Sequence, residues 1–396
     1  MNKNGREVWI VGAARTAIGS FQGSLSTVAA PRLGAVAIQG ALKRAGLKPD
    51  QVSEVIMGNV LTAGEGQAPA RQAAIYAEIP KSVPAMTINK VCGSGMKAVM
   101  LGTQSILLGD SDVVVAGGME NMTQVPYIMP TARAGLRMGN AQIVDAMISD
   151  GLWDPYSNQH MGNCAELCAK EYDFTRKLQD EYAVRSFQRA LDAQKAGKFK
   201  EEIEPVMIAG KKGDLTAFET DEGPAKVQFD KIPNLKPVFD KAGSITAANA
   251  STINDGASAL VLVSAEKGKA LGLKPLAKIV SYGVNAQKPE WFTTAPAEAM
   301  RRAAKAAGWE MDSIDLFEVN EAFAVVAMAA AKDLKISEDK LNVWGGAISL
   351  GHPIGSSGSR ILVTLLSALK DRGLKRGMAG ICIGGGEATA ICIERV

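Results

Sequence analysis

The stretch Asn89-Lys90-Val91-Cys92-Gly93-Ser94-Gly95-Met96-Lys97-Ala98-Val99 sets a nucleophile in a glycine-rich turn. Val83 to Asn89 ends in alternating apolar residues and reads as a strand. Met96, Val99, Met100, Ile106 and Leu107 then recur at helical spacing, with Lys97 the only charge before Asp110. Cys92 is therefore predicted at a strand-to-helix turn, where free amide groups and the positive helix end favour a thiolate over a thiol. Two other readings compete. A cysteine taken at random is most often a small buried hydrophobe, and Gly93-Ser94-Gly95-Met96-Lys97-Ala98 fits the loose dinucleotide pattern G-x-G-x-x-A.

Further reactive residues stand far away in the chain. There are only two histidines, His160 and His352. His352 lies in the rigid turn Gly351-His352-Pro353-Ile354-Gly355, and a histidine beside a thiol can take its proton. Cys382 ends a strand just before Gly384-Gly385-Gly386, and Asn320 opens a helix beside Glu321.

The elements that must carry these groups repeat. Val8–Ala13, Glu54–Val60 and Asp112–Gly118 read as strands, with a helix over Leu33–Leu42. Strands alternating with helices predict an α/β fold with a largely parallel sheet. In the last third, Leu316–Val319 leads into Asn320, Val343–Ile348 into Gly351–Gly358, an apolar helix follows over Ile361–Leu369, and Gly380–Ile383 meets the triple glycine. Each half thus has a strand, a glycine-rich turn with one reactive residue, a buried helix, another strand and a glycine run. We read this as an internal duplication. If its strand-end loops face one site, one pocket holds Cys92, Cys382, His352 and Asn320. The segment from about Asn121 to Ala250 is richer in charge and loop residues and reads as an insertion. It includes a helix capped by Thr175 with Leu178, Tyr182, Phe187 and Leu191 and ended by Gly197. Thr252–Ala265 supplies one more strand.

Composition narrows the class. The 396 residues suit two or three domains. A net charge of +3 gives no field for a nucleic-acid partner. No apolar run is long enough for a membrane span. Five scattered cysteines make no disulfide framework, and Met1–Glu7 lacks a signal-peptide core. The expectation is a cytoplasmic protein. Cys164 and Cys168, without a second pair nearby, are a poor metal site, and Cys392 reads as core.

Four motifs now stand together: Val91-Cys92-Gly93-Ser94-Gly95-Met96, Asn320-Glu321-Ala322-Phe323, Gly351-His352-Pro353-Ile354-Gly355 and Cys382-Ile383-Gly384-Gly385-Gly386. In order and spacing the chain resembles the thiolase family over essentially its whole length. Any one motif is weak evidence; the four together are specific. The resemblance implies duplicated α/β/α halves forming a five-layered αβαβα core with an inserted loop domain. The N-terminal half would span 1–121 and 252–275, the insertion on the CoA and acyl side 122–251, and the C-terminal half 276–396. It implies the condensation of two acetyl-CoA to acetoacetyl-CoA and CoA through an acetyl-cysteine. Cys92 would be the nucleophile, His352 the acceptor of its proton and Cys382 the base at the α-carbon. Asn320 would hold a water on the enolate, and the amides of Cys92 and Gly384 the tetrahedral oxyanion. Tyr156–Gly162 resembles the acetoacetyl-CoA enzymes, in which the pair at His160 and Met161 narrows the acyl pocket. Thr246–Ser251 resembles the pantetheine segment, with Ser251 at the contact, and Ala322 and Phe323 complete the substrate-binding set. Lys226 and Lys231 are left unassigned at the nucleotide end.

No metal or redox cofactor is implied. Some relatives with an Ala-Ala-Asn-Ala-Ser segment bind potassium, but no tyrosine lies between Gly210 and Phe239 to complete such a site, so a monovalent cation is left open. The implied partners are the CoA thioesters and further copies of the chain, as a dimer or dimer of dimers. The chain departs from the family at Ser356, where alanine is frequent, and at Glu387-Ala388, where another glycine is common. Of the alternatives, a 3-ketoacyl-CoA thiolase of fatty-acid degradation shares the chemistry with longer chains. A cysteine hydrolase would use Cys92, His352 and Asn320 but has no need of Cys382. A dehydrogenase would leave Cys382 and His352 unused.

Overall fold

A computed structural model describes residues 5–210 and 213–396. Met1–Asn4, with which the leader reading began, lie outside the described residues. The first half runs β1 (Val8–Arg15), α1 (Ala30–Ala45), β2 (Glu54–Gly58), α2 (Pro69–Tyr76), β3 (Ala85–Ile88), α3 (Ser94–Leu108) and β4 (Val113–Asn121). The chain then leaves for an excursion containing α4 (Met161–Glu171) and α5 (Arg176–Lys195), and returns as β5 (Asn254–Ser264). The second half follows as β6 (Ala277–Ala286), α6 (Ala295–Ala307), β7 (Leu316–Val319), α7 (Ala324–Leu334), α8 (Ile354–Asp371), β8 (Arg376–Ile383) and β9 (Glu387–Arg395).

The main sheet has the order β7-β8-β9-β6-β1-β5-β4-β2-β3, with Gly19–Ser20 paired on β5. It is mixed, not largely parallel as the alternation of elements suggested. The helix-linked strands β2, β3 and β4 are mutually parallel, as are β7 and β8. But β5 returns antiparallel to both β4 and β1, and β8 turns directly into antiparallel β9. A tight turn can only join antiparallel strands; parallel ones need a crossover. The halves meet where β1 pairs β6 through Trp9–Lys278 and Ile10–Ala277.

Each half has the same strand order. Read from one edge it is β3-β2-β4-β5-β1; in the second half it is β7-β8-β9-β6, with a parallel bridge from Phe317 to Leu341 where β3 would lie. The layers follow from which face each helix buries. Leu33, Ile38 and Ala41 of α1 pack on the outer side of Val55, Val115 and Val261. Met96 and Val99 of α3 and Ile361 and Leu365 of α8 fill the space between the halves, against Leu262, Ile381 and Ile391. Met300 of α6 and Val325 of α7 cover the outer side of Phe317, Met378 and Ala390. Helix, sheet, helix, sheet, helix is the five-layered core expected from the resemblance. β4 and β5 are buried along their whole length, as strands covered on both faces must be.

The excursion leaves after Asn121 and returns at Asn254, beside each other on paired strands, Asn121 opposite Asp255. It is tied to the core by Arg15 at the end of β1. That guanidinium is fully buried, with Glu202 at 2.6 Å and Asp221 held bidentately at 2.7 and 2.9 Å. α5 begins as read, with Thr175 Oγ1 accepting from the Leu178 amide, although the Leu178 side chain itself faces solvent.

Candidate active site

The turn that carries Cys92 is held by short-range hydrogen bonds. The Val91 amide donates to Asn89 Oδ1 at 2.9 Å, the Ser94 hydroxyl donates to Val91 O at 2.7 Å, and the Lys90 amide donates to Ser94 Oγ at 2.8 Å. They keep Val91 at φ +45°, a left-handed conformation costly for a β-branched residue. Cys92 projects from this turn into a cavity of about 290 Å³. The expected thiolate is not what the structure favours. Burial pushes the Cys92 thiol up to about 11, more than the Gly384 amide and its own amide pull it down, and Glu120 adds to the rise. One helix terminus is outweighed by loss of solvent, so the resting residue is a thiol that needs a base.

His352 is placed to act as one. It stands in the same cavity, between Gly351 and the first turn of α8. Its amide donates to Asn254 Oδ1 at 3.0 Å. Its Nδ1 lies 2.6 Å from the Ser357 hydroxyl, which spends its single proton on Pro353 O at 2.9 Å. Nδ1 is thereby the donor and Nε2 carries the lone pair. Nε2 has no partner among the described residues. Burial, helped by the Arg360 charge, pushes the imidazole down to about 3, so it is neutral and able to accept.

Cys382, at the end of β8, is fully buried. Burial and then the neighbouring Cys92 hold its thiol well above the usual range. Asn320 follows β7 directly, and both its side-chain amide atoms are buried without a partner among the described residues. An amide with free donor and acceptor suits a positioned water. Its neighbour Glu321, passed over in the sequence, is a buried anchor. Glu321 accepts from Tyr182, Ser186, Asn342 and the Ile348 amide at 2.7–3.2 Å, which fixes the loop that presents Asn320. Gly384 lines the same cavity as Cys92, and its N–H favours the thiolate there. Within the glycine run, a side chain at Gly386 would collide with the backbone carbonyls of Gln287 and Lys288. Gly385 and Gly386 have φ of +89° and +86°, whereas a side chain at Gly384 would only touch Met161 at 3.6 Å.

The residues expected to bind substrate line the same cavity. His160 Nδ1 accepts from the Gly162 amide at 3.1 Å, capping α4, and its ring stacks on Phe239 at 4.6 Å. Met161 lies beside it. Ser251 donates from both its amide and hydroxyl to Ala322 O at 2.9 Å, and Ala250 bridges Phe323, so the two predicted segments form one wall. Phe239, Leu152, Phe292 and Ile354 add apolar lining; all but Ile354 lie outside the four motifs, and only their apolar character signalled them. A second cavity, sharing Thr252 with the first, is lined by Lys226, Lys231 and Ala248. The departures are accommodated. Ser356 hydrogen-bonds Ser258 at 2.9 Å between α8 and β5, and Glu387 pairs with Lys90 next to the nucleophile turn.

The chain is a thiolase by family. The thiolase N-terminal domain matches residues 8–266 and the thiolase C-terminal domain residues 273–395. It is 57% identical over 390 residues to an acetyl-CoA acetyltransferase of Cupriavidus necator, covering 98% of this chain and 99% of that one. It is 55% identical over 393 residues to acetyl-CoA acetyltransferase 2 of Arabidopsis thaliana, covering 99% and 98%. With an acetyl-CoA acetyltransferase of Schizosaccharomyces pombe the identity is 50% over 391 residues, covering 98% and 99%.

Proposed function

We infer that the protein is an acetyl-CoA C-acetyltransferase that condenses two acetyl-CoA to acetoacetyl-CoA and CoA, and cleaves acetoacetyl-CoA in reverse. The observation that carries this reading is the cavity in which a protonated Cys92, a neutral His352 with a free Nε2 and the Gly384 amide converge. His352 takes the Cys92 proton as the sulfur attacks the thioester carbonyl, and the Cys92 and Gly384 amides receive the oxyanion. Cys382 starts protonated, so it gives its proton to the departing CoA sulfur. The thiolate left behind, strongly basic because it is buried, removes a methyl proton from the second acetyl-CoA. Imidazolium Nε2–H and the Asn320-held water stabilise the enolate oxygen. The carbanion then attacks acetyl-Cys92, and His352 returns its proton to the freed Cys92 sulfur. Protons balance over the cycle. No metal or redox cofactor enters, because the thioester carbonyl itself acidifies the α-carbon.

His160, stacked on Phe239, and Met161 line the cavity, which supports short acyl chains over the longer substrates of a degradative thiolase. The pantetheine arm would pass Ser251 toward the cavity with Lys226 and Lys231. Self-association, as a dimer or dimer of dimers, suits the apolar side chains exposed at Leu108, Tyr127 and Met138. A cytoplasmic location completes the proposal. Thiolysis of 3-ketoacyl-CoA esters of rising chain length tests the specificity. Acetoacetyl-CoA should be cleaved at least about a hundredfold faster than the sixteen-carbon ester, since a filled pocket rejects added methylenes. Equal rates would move the protein to the degradative class.

A further inference from the structure

The strand registers relate the two halves residue by residue. On β2 and β4, Gly58 pairs with Gly118; on β7 and β8, Val319 pairs with Gly380. One residue beyond the first member of each pair stands Asn59 in one half and Asn320 in the other. Two residues beyond the second member stand Glu120 and Cys382. Cys92 precedes the first residue of α3 by two positions, as His352 precedes the first residue of α8. The catalytic asparagine and base therefore have counterparts in the other half, Asn59 and Glu120, to which the mechanism gives no task.

Glu120 is fully buried, and its side chain bonds the loop that follows β2 and the first turn of α8. Oε1 accepts from Asn59 Nδ2 at 2.9 Å and the Leu61 amide at 3.1 Å. Oε2 accepts from the Val60 amide at 3.1 Å and the Gly355 amide at 2.8 Å. Gly355 lies in the first turn of α8, three residues after His352. A side chain at Gly355 would come within 2.6 Å of Glu120 Oε2, so this contact requires glycine. A carboxylate on an amide of a helix N-terminus makes a strong, charge-assisted bond, and this helix follows directly on the turn that carries His352. Glu120 does not line the substrate cavity.

We propose that Glu120 is a positioning residue. Clamped by Asn59, Val60 and Leu61, it fixes the first turn of α8 and so aims His352 Nε2 at the Cys92 sulfur. The proposal rests on the assignment of His352 as the group that takes the Cys92 proton.

The test uses the full-length enzyme and two readouts: steady-state condensation, and alkylation of Cys92 by iodoacetamide at fixed pH, which follows removal of the thiol proton. Glu120→Ala is expected to lower kcat and the alkylation rate at least about tenfold, with KM for acetyl-CoA within about threefold, because misaimed groups lose far more rate than binding. Glu120→Gln should recover to within about threefold of wild type. Its amide oxygen can keep Gly355 and Val60 while its NH2 turns to a flipped Asn59, at the cost of the Leu61 amide bond, which does not reach α8. In a His352→Ala background, Glu120→Ala should slow alkylation no further, since residues acting through one another are not additive. If Glu120→Ala does not fold, Glu120→Asp, which withdraws the carboxylate from Gly355 by one methylene, replaces it with an expected loss of at least about threefold. Equal losses in both backgrounds, or a folded variant with unchanged kcat, overturn the proposal. A Glu120→Gln as slow as Glu120→Ala also overturns it, because charge rather than aim would then be at stake. If His352→Ala alone leaves alkylation unchanged, the assignment of His352 fails first, and the proposal with it.

Discussion

Burial acts on the three reactive side chains in opposite directions with one result. It raises the two thiols and lowers the imidazole, so Cys92, Cys382 and His352 all rest uncharged. In the proposed mechanism charge arises only when substrate arrives, and the amides of Cys92 and Gly384 receive it. The division of labour between the thiols is testable. Incubation with acetyl-CoA should add one acetyl group at Cys92, and Cys92→Ala should abolish both directions of reaction. Cys382→Ser should still be acetylated, while exchange of acetyl-CoA methyl protons with deuterated solvent falls at least about a hundredfold, the scale of a lost general base. Peptide mass mapping that found the label on Cys382, or a folded Cys382→Ser that no longer acetylates, would refute the assignment. The identities of these residues were legible because glycine-rich turns flag them. The direction of the Cys92 shift was not. It depends on α8 and the Gly384 turn closing over the sulfur from the far end of the chain, and local sequence carries no measure of that desolvation. Glu120 and Glu321 were hidden for the same reason, since a buried carboxylate looks like any other acidic residue until its donors are known.

At the scale of elements, helices were read well wherever apolar spacing and caps agreed. α5 starts after Thr175 and stops before Gly197 as expected. Strand direction was less legible. Periodicity reports which face of a strand is buried and says nothing about whether its neighbour runs parallel, and β5 reaches its place only after the long excursion. The bond between that excursion and the core makes a stability prediction. Arg15→Met would leave Glu202 and Asp221 buried without their cation, so chemical denaturation should show a loss of about 3–5 kcal/mol. A loss under about 1 kcal/mol would mean that the clamp does not hold the excursion to β1.

For the whole molecule, the neutral burial of His352 ties stability to pH. Its unfolded pKa is near 6.5 and its folded value about 3. Between these values the unfolded chain binds the extra proton, so this histidine's contribution is present above pH 6.5 and is lost as pH falls. Glu65, Glu120 and Glu318, raised by burial to about 8, about 7 and about 8, work the other way, stabilising the fold on the acid side. The informative quantity is therefore the difference between wild type and His352→Asn. From pH 6 to 4, wild type should lose about 1 kcal/mol per pH unit more than the variant. Parallel curves would show that the imidazole is not held neutral by the fold.

The matched registers of the two halves bear on why one chain carries both. A Claisen condensation is lopsided: one acetyl group must be the electrophile and the other the carbon nucleophile. Two identical subunits facing each other across a two-fold axis would have to offer each incoming acetyl group the same surroundings. Here the strand end that bears Cys382 in one half bears Glu120 in the other, and the turn that bears Cys92 answers to the turn that bears His352. Joining the copies in one polypeptide lets equivalent positions hold different residues, so a nearly symmetric scaffold can tell two chemically identical substrates apart by the order in which they arrive.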